Sequence, residues 1–376
     1  MRVCHLTSAH SRYDIRIFQK ECISLARNGF DVSLIVCDGK ENETVEAVKI
    51  YSVDKKRTGV LKRILHSPQK VLKKAMELDA DIYCFHDPEL LFVGNRLKKR
   101  GKDVIYDCHE FYGIQILEEK AYIPKCMRRF VSKGYNILEH YVAKRIDAIL
   151  IPSTYCGKNV FDGIAKRTLL IGNYPKLEEF SGVNLEKKLS HTICYVGGLT
   201  YIRGIYHLIY ALEKLDVHLI LAGEFYPSEF KDEVEGLKGF EKVDYKGVVD
   251  RNGITKIIEK ADIGMSTILN VGQNCNVDVF PTKVYEYMAM GIPVIISRYP
   301  YSEKMIEELK FGITVDPSDK NEISEGIKFL YDNPTQMKEM GKMGRKAIEE
   351  RFNWEMEAKK LIELYEELDS KRNVRN

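Results

Sequence analysis

Short apolar runs alternate along the chain with segments in which apolar residues recur at helical spacing. In the first half, apolar runs predict strands at residues 2–6, 31–37, 81–85, 103–106 and 148–151. Helical spacing predicts helices at 17–28 and 90–100. Strands separated by helices indicate βαβ units, so the first half is predicted to hold a parallel sheet.

The same alternation starts again after a weakly patterned stretch at residues 172–191. Strands are predicted at 192–196, 218–221, 244–246, 263–266 and 293–297, and helices at 207–214, 254–260, 282–290, 322–332, 334–351 and 354–368. A chain of 376 residues also exceeds the size at which a single core usually stops growing. The predicted fold class is therefore α/β, with two Rossmann-like, doubly wound domains that face one another.

Composition narrows the class of protein. Apolar residues make up 44% and charged residues 30% of the chain, as in an ordinary soluble protein. No apolar run approaches the length of about 18 residues that a transmembrane helix needs, and the first residues lack the apolar core of a signal peptide. The nine cysteines include no Cys-x-x-Cys pair. This usage favours reduced thiols in the cytoplasm over disulfides or a zinc site.

Charge is distributed unevenly. Residues 1–170 carry 30 Lys and Arg against 21 Asp and Glu, whereas the remainder carries 28 against 34. The basic segment from Lys55 to Lys74 holds eight Lys and Arg and no acid, with apolar residues at helical spacing. One hypothesis is that it rests on an anionic membrane surface at the inner membrane face, and the alternative is the solvated face of a core helix. Nucleic acid binding is not expected, because no recognition module is visible.

Residues 280–296 carry the first chemical signal, FPTKVYEYMAMGIPVII, with Asp278 just upstream. Lys283 and Glu286 are three residues apart and therefore share one helix face. That face opens at a helix N-terminus, where unpaired backbone N–H groups attract anions. A phosphate beside sugar hydroxyls needs this combination, so we predict nucleotide-sugar binding. The alternative is an amphipathic helix with a surface Lys–Glu pair.

Residues 195–204, YVGGLTYIRG, carry the second signal, directly after a predicted strand. Gly197 and Gly198 allow a sharp turn and a close approach of the backbone to a ligand. Arg203 supplies a forked set of donors that suits phosphate oxygens. The alternative is a tight turn with a solvated arginine.

In the first half, His86-Asp87 and Asp107-Cys108-His109 each follow a predicted strand. Both pairs therefore fall on the edge of the sheet where ligands bind. A histidine at this edge orients a sugar hydroxyl or stabilises charge in a transition state. The alternative is helix capping by Asp87 and Asp107. The spacing does not favour metal ligation, and no metal is expected.

These segments resemble the glycosyltransferase family 4 group, of the bacterial surface-polysaccharide type, which has the GT-B fold. The matching stretches are 197–204, 219–224, 245–249, 261–265, 281–296, 311–317 and 350–354, with 14–18 and 29–32 in the first half. The resemblance implies an N-terminal acceptor-side domain at 1–172, joined by a C-terminal helix at 354–376 that crosses back onto it. A nucleotide-sugar domain would span 173–353.

The resemblance also implies residue roles. Glu286 would hold the ribose hydroxyls of the donor, Arg203 and Lys283 its diphosphate, and Gly197 and Gly198 the turn beside it. His109 would face the donor sugar and is expected to be catalytic together with Arg203 and Lys283. His86 and Asp87 are expected on the acceptor side.

Two positions depart from the family pattern. The family usually carries two glutamates eight positions apart, and Asp278 stands in place of the first of them. Many members place an arginine after the first turn glycine, where this chain has Gly198. Neutralisation of the diphosphate would then rest more heavily on Arg203 and Lys283.

The implied activity is transfer of a sugar, with retention and without a metal or other cofactor, from a UDP- or GDP-linked donor. The acceptor would be a saccharide or lipid-linked saccharide in cell-surface polysaccharide synthesis. Two alternatives stay open: a nucleotide-sugar epimerase of the same plan, and a non-catalytic assembly partner attached to the membrane. A nicotinamide dehydrogenase would need Gly-x-Gly-x-x-Gly after the first strand, and residues 6–13 contain no glycine.

Overall fold

The computed structural model describes residues 1–53, 60–118, 123–182 and 190–375, with only the backbone of 60–65, 373 and 375. The chain forms two compact units, one made of Met1–Asn173 with Met356–Asn376 and the other of Tyr174–Glu355. Each unit contains its own sheet. The predicted α/β class with two parallel, Rossmann-like sheets is confirmed.

The first unit is built on an eight-stranded sheet with the order β3-β4-β2-β1-β5-β6-β7-β8. Its strands are β1 (Arg2–Leu6), β2 (Asp31–Val36), β3 (Glu43–Val45), β4 (Val48–Ser52), β5 (Ile82–Phe85), β6 (Asp103–Asp107), β7 (Ala148–Ile151) and β8 (Thr168–Leu170). Among the strands in the described residues, only the β3–β4 pair is antiparallel. Leu6 of β1 lies beside Ile35 of β2 on one side and Phe85 of β5 on the other. The strand order reverses between β1 and β5, which is where ligands bind in such sheets.

A π-helix and five α-helices connect these strands. They are the π-helix Ile15–Cys22, α1 (Ile23–Arg27), α2 (Val60–Leu78), α3 (Leu91–Lys98), α4 (Tyr112–Glu118) and α5 (Lys125–Ala143), with a 3-10 turn at Pro88–Leu90. The predicted helix at 17–28 begins two residues earlier, because the Asp14 carboxylate caps it. That carboxylate accepts the backbone N–H groups of Arg16 and Ile17, each at 2.9 Å.

The second unit is built on a six-stranded, fully parallel sheet with the order β11-β10-β9-β12-β13-β14. Its strands are β9 (Thr192–Val196), β10 (His218–Ala222), β11 (Val243–Gly247), β12 (Ile263–Ser266), β13 (Val294–Ser297) and β14 (Gly312–Val315). Cys194 lies beside Ile220 on one side and Gly264 on the other. The order reverses between β9 and β12.

Helices cover both faces of the second sheet. They are α6 (Ile205–Ala211), α7 (Phe230–Glu235), α8 (Arg251–Lys260), α9 (Thr282–Ala289), α10 (Pro300–Leu309), α11 (Lys320–Asp332) and α12 (Pro334–Glu350), with 3-10 turns at Leu177–Phe180, Leu212–Lys214, Lys238–Lys242 and Gly272–Cys275. Along β9, Ile193 and Tyr195 join one apolar cluster, and Cys194 and Val196 join the other. Because both faces are buried, polar chemistry is confined to the ends of the strands.

The last helix, α13 (Trp354–Arg375), begins in the second unit, and its residues from Met356 onward belong to the first unit. The Glu357 carboxylate accepts the Gly172 backbone N–H at 2.8 Å, and Arg372 pairs with Asp81. None of the helices in the described part of the chain combines the length and apolarity that crossing a bilayer requires.

Candidate active site

Two exposed glycines, Gly197 and Gly198, open the loop at the carboxyl end of β9. Gly197 has a φ of +124°, and a Cβ there would lie 3.4 Å from Lys283 Nζ. Its backbone N–H donates to the Ala222 carbonyl at 2.9 Å. The Tyr195 hydroxyl donates to the Gly198 carbonyl at 3.1 Å. This bare backbone lets a ligand approach closely.

Lys283 lies beside this turn as a buried amine on α9. The residue is only 7% exposed, and Nζ lies 3.3 Å from the centre of the Tyr195 ring. Within the described part of the chain, Nζ has no hydrogen-bond partner. Burial, and then the charge of Arg203, hold the pKa of Lys283 well below its usual value, while Glu286 acts in the opposite direction. A buried amine without an acceptor is costly, so the position is suited to receiving an anion.

Arg203 lies in the turn that leads from β9 into α6, where it is half-buried. Gly204 follows it with a φ of +75°, and a Cβ there would lie 1.7 Å from the Thr267 carbonyl oxygen. The Ile202 carbonyl accepts the Leu269 N–H at 2.8 Å. These contacts hold the loop after β9 against the loop after β12, at the switch point of the sheet. The charge of Arg203 acts on Lys283, so the two basic side chains lie in one region.

Glu286 lies one helical turn after Lys283 but pairs with a different cation. It is 9% exposed, and Arg251 of α8 forms its ion pair. Arg251 also donates to Glu179 Oε2, from Nε at 2.9 Å and from Nη2 at 2.7 Å. The alternative of a surface Lys–Glu pair is wrong, because both side chains are buried. No sequence motif marks Arg251, which is 35 positions from Glu286.

Asp278 lies half-buried in the loop that precedes α9. Burial raises the pKa of the Tyr301 hydroxyl, and the charge of Asp278 adds to that effect. The structure thus places Gly197, Arg203 and Lys283 together, and Asp278 within electrostatic reach of Tyr301.

In the first unit, the ends of β5 and β6 bring two histidines to one carboxylate. Asp107 is the last residue of β6 and is fully buried. Its Oδ2 lies 3.0 Å from His86 Nδ1 and 2.7 Å from His109 Nε2. His86 is buried, whereas the His109 side chain is 17% exposed. The structure therefore joins His86 and His109, which the sequence placed only at neighbouring strand ends.

Asp87 is bound to the loop that follows β1. Its Oδ2 accepts the Thr7 hydroxyl at 2.8 Å and the Ser8 backbone N–H at 2.6 Å. Its side chain does not cap the 3-10 turn that follows it. The capping alternative is therefore wrong for Asp87. It holds two neighbouring strand-end loops together.

His10, which no sequence motif marks, lies beside His109 with their ring centres 4.8 Å apart. Its Nδ1 lies 3.2 Å from Asp14 Oδ2, and its Nε2 lies 3.5 Å from Asp87 Oδ1. Burial lowers the pKa of His10, but the hydrogen bond with Asp14 and the charge of Asp87 outweigh it and raise the pKa above its usual value.

Arg16 neutralises the buried Asp107. Its Nε donates to Asp107 Oδ2 at 2.9 Å and its Nη2 to Oδ1 at 2.7 Å. Burial opposes ionisation of Asp107, yet Arg16, followed by His109, holds the pKa of this carboxyl well below its usual value. Glu21 lies 3.2 Å from Arg16 Nε, and burial, then the charge of Asp107, raise the pKa of Glu21 well above its usual value. Arg16 is 91 positions from Asp107, and its only signal in the sequence was the family-like segment 14–18.

A buried row of hydrogen bonds extends from Asp107 to α13. His86 Nε2 lies 3.0 Å from His5 Nδ1, and His5 Nε2 lies 3.4 Å from the Tyr365 hydroxyl. Because the Asp107 carboxylate only accepts, His86 Nδ1 carries hydrogen and His86 Nε2 accepts from His5. His5 Nε2 then accepts from Tyr365. Burial lowers the pKa of both histidines, which favours these neutral tautomers.

His86 Nδ1, Asp107 Oδ2 and His109 Nε2 lie within 3.1 Å of one another. Two imidazoles and a carboxylate are also a donor set that transition metals accept. Hydrogen bonds from both rings to Asp107, supported by Arg16, account for the same arrangement.

Part of the basic segment from Lys55 to Lys74 lies outside the described residues, namely 55–59. The rest belongs to α2, where Lys74 pairs with Glu77 at 3.2 Å and lies 5.2 Å from the centre of the Tyr51 ring. Membrane contact through this segment stays a prediction.

Two family models match the chain. The model described as Glycosyltransferase Family 4 matches residues 20–173, and the model described as Glycosyl transferases group 1 matches residues 177–347. The capsular polysaccharide biosynthesis glycosyltransferase CapM of Staphylococcus aureus is 22% identical over 405 residues, which span 99% of this chain and 97% of CapM.

Solved structures share the whole architecture. Sucrose-phosphate synthase from Thermosynechococcus elongatus matches with a TM-score of 0.78 and 16% identity, covering 98% of this chain and 99% of the synthase. Anabaena Alr3699/HepE in complex with UDP and glucose matches with a TM-score of 0.72 and 14% identity, covering 98% of this chain and 100% of the other. These likenesses confirm the predicted GT-B fold.

Proposed function

Because this chain is a glycosyltransferase that joins a family 4 domain to a group 1 domain, we propose that it uses a nucleoside diphosphate sugar as donor. The donor is UDP- or GDP-linked, and the acceptor is a saccharide or lipid-linked saccharide in cell-surface polysaccharide synthesis. Support for the donor comes from HepE, whose structure holds UDP and glucose, and support for polysaccharide synthesis comes from CapM, a capsular polysaccharide biosynthesis glycosyltransferase.

One observation carries the donor assignment: the buried amine of Lys283 beside an exposed glycine turn and Arg203. A diphosphate at the turn would supply the acceptor that Lys283 Nζ lacks within the described residues. It would also offset the charge of Arg203, which lowers the pKa of Lys283. As the bond to the sugar breaks, negative charge grows on the leaving diphosphate, and fixed cations stabilise that charge.

Glu286 is assigned to the ribose hydroxyls. A buried carboxylate accepts two hydroxyl hydrogen bonds, which suits a vicinal diol. Arg251 pairs with Glu286 and donates to Glu179 as well, so it holds the Glu286 carboxylate in place. Asp278 is assigned to the donor sugar, with a side chain one methylene shorter than glutamate.

His109 is assigned a catalytic role at the sugar. Its Nε2–H donates to Asp107, which leaves Nδ1 as an acceptor for a sugar hydroxyl. Holding that hydroxyl orients a donor whose anomeric carbon gains positive charge in the transition state. His86 and Asp87 are assigned to the acceptor side.

Retention and metal independence belong to the proposal. Arg203 and Lys283 supply the positive charge that a metal ion supplies to a diphosphate elsewhere. Transfer after treatment with EDTA should match transfer by the untreated enzyme. If EDTA abolishes transfer and added Zn²⁺ restores it, a metal would instead be assigned to His86, Asp107 and His109.

Substitution of Arg203 tests the donor assignment. Arg203→Ala is expected to lower transfer about a hundredfold or more, because a fixed cation is lost where charge develops. Its matched control is Arg351→Ala, which removes a half-exposed arginine paired with Glu308 and should leave transfer unchanged. A folded Arg203→Ala protein with full transfer would contradict the assignment.

The epimerase alternative has no observation in its favour, since both matched families are transferases. Incubation with donor alone separates the two activities. Release of nucleoside diphosphate only when acceptor is present indicates a transferase, whereas an isomeric nucleotide sugar indicates an epimerase.

A further inference from the structure

A cavity of 460 Å³ lies in the first unit among α2, α3, α4 and α5. Its walls are mostly apolar, and they include Leu72, Val93 and Leu138. Tyr112 and Tyr135 also line it, with ring centres 5.1 Å apart. The volume is in the range of small-molecule sites, about 300–1,000 Å³. The cavity is separate from the glycine turn and Lys283, which belong to the second unit.

Part of the lining connects the cavity to the loop that contains Asp87, here called the acceptor-side loop. Pro88 and Glu89 line it and follow Asp87 directly in the chain. Glu89 accepts the Ser8 hydroxyl at 2.9 Å, and Ser8 is held by Asp87. Arg96 adds an exposed guanidinium to the lining. A ligand in the cavity therefore has both a cation and the acceptor-side loop within its reach.

The two long helices that line the cavity are basic. The described part of α2 carries Lys70, Lys73 and Lys74, and α2 contributes Leu72 to the cavity. The other, α5, contributes Tyr135 and Leu138.

The outer face of α5 is both basic and apolar. Phe130 is 79% exposed, Ile137 63% and Met127 53%. Basic residues lie among them at Lys125, Arg128, Arg129 and Lys133. Exposed apolar side chains among cations are typical of a surface that contacts anionic lipid.

We propose that this cavity binds the hydrocarbon chain of a lipid-phosphate-linked acceptor, with Arg96 facing its phosphate. The inference rests on the proposed function and narrows its acceptor to the lipid-linked class. An apolar cavity beside basic, lipid-facing helices suits a ligand that is apolar at one end and anionic at the other. A folded protein partner would need a larger, flatter surface than this concave site.

Chain-length dependence of binding tests the proposal on the whole protein. The probes are dodecyl phosphate and butyl phosphate, both below the concentration at which they form micelles, with binding measured by calorimetry. Burial of a methylene strengthens binding about fourfold, so burial of half of the eight additional methylenes gives roughly 250-fold tighter binding of dodecyl phosphate. Equal affinity for the two probes would overturn the proposal.

A matched pair of substitutions locates the binding. Leu138→Trp fills the cavity and should weaken dodecyl phosphate binding at least tenfold. Phe329→Trp places the same ring on an exposed position of α11 in the second unit, which does not line the cavity, and should leave that binding unchanged. If Leu138→Trp fails to fold, Val93→Phe gives a smaller filling change. Normal binding by folded Leu138→Trp or Val93→Phe protein would refute the site.

Further measurements distinguish this proposal from a membrane contact, from dimer formation and from the donor assignment. Vesicles of phosphatidylglycerol and phosphatidylcholine should bind the Leu138→Trp protein as well as they bind wild type. If Leu138→Trp instead loses vesicle binding and keeps dodecyl phosphate binding, the cavity region contacts the membrane surface and the proposal is overturned. Dimer formation that Leu138→Trp abolishes would overturn it in favour of a second copy. UDP binding should be unchanged in Leu138→Trp, and failure of wild type to bind UDP would count against the donor assignment alone.

Discussion

Binding of UDP should be accompanied by uptake of a proton at Lys283. In the free protein, burial and then Arg203 hold the pKa of Lys283 well below 10.5, the usual value for lysine. A diphosphate beside Nζ adds negative charge and favours the ammonium form, so its pKa rises on binding. Each unit of that rise adds about 1.4 kcal/mol to binding of the charged ligand. The uptake reaches at most about one proton per UDP, at a pH between the two pKa values.

Calorimetry in buffers of different ionisation enthalpy measures this uptake. The observed binding enthalpy changes linearly with buffer enthalpy, and the slope equals the number of protons taken up. Lys283→Met is the matched control, because it keeps the length of the side chain and removes the titrating group. UDP itself titrates near pH 6–7, so the difference between the two slopes isolates Lys283. Equal slopes for wild type and Lys283→Met would refute the reasoning.

The same shift predicts how stability depends on pH without ligand. Lys283 has a lower pKa when folded than when unfolded, so between its folded value and 10.5 the unfolded chain binds more protons. The free energy of unfolding therefore rises with pH in that window, by at most about 1.4 kcal/mol per pH unit from this residue. Lys283→Met should lack this component of the slope in chemical denaturation.

Two further predictions concern other buried positions. Burial raises the pKa of Glu139 to about 7, although hydrogen bonds from Tyr135 and Tyr106 lower it. Between pH 4.5 and about 7, the folded protein therefore binds more protons than the unfolded chain, and its stability falls as pH rises. Glu139→Gln should remove this fall in the free energy of unfolding, which amounts to about 3 kcal/mol over the whole pH range. An unchanged pH profile in urea denaturation would contradict the assignment. Gly204→Ala should cost about 3 kcal/mol or more, because its Cβ would lie 1.7 Å from the Thr267 carbonyl oxygen. Gly101→Ala, with a similar φ of +79° and nothing within 4 Å, should cost only about 1–2 kcal/mol; equal losses would show that backbone conformation alone sets the cost.

The sequence predicts most parallel strands of both sheets because they are short, continuous apolar runs, with β11 (VDYKG) as an exception. It misses the edge strands β3, β8 and β14, and also β4, in which buried and exposed side chains alternate. The helix α5 escapes prediction for a different reason. Its buried side includes Ser132 and Glu139, whereas Phe130 and Ile137 are exposed, so apolar periodicity does not mark its core face.

The candidate site is predictable in its local parts only. Lys283 and Glu286 share a helix turn, and Gly197 and Arg203 share a loop, so short spacing reveals them. Their charge partners come from distant segments, as Arg251 shows. Arg16 likewise reaches Asp107 across 91 positions. Pairings of this kind depend on which strands become neighbours, and a single sequence does not contain that information.

The buried row from Tyr365 through His5 and His86 to Asp107 has one direction, since each group donates to the next. A proton added to His86 Nε2 would face the His5 Nδ1–H, and a proton added to His5 Nε2 would require the Tyr365 hydroxyl to turn its hydrogen away, so neither ring can be charged without rearranging the row. The row therefore resists acid as a single unit, in agreement with the lowered pKa values of His5 and His86. His10, whose pKa is raised, lies outside it. Mild acidification would thus charge His10 while His5 and His86 stay neutral.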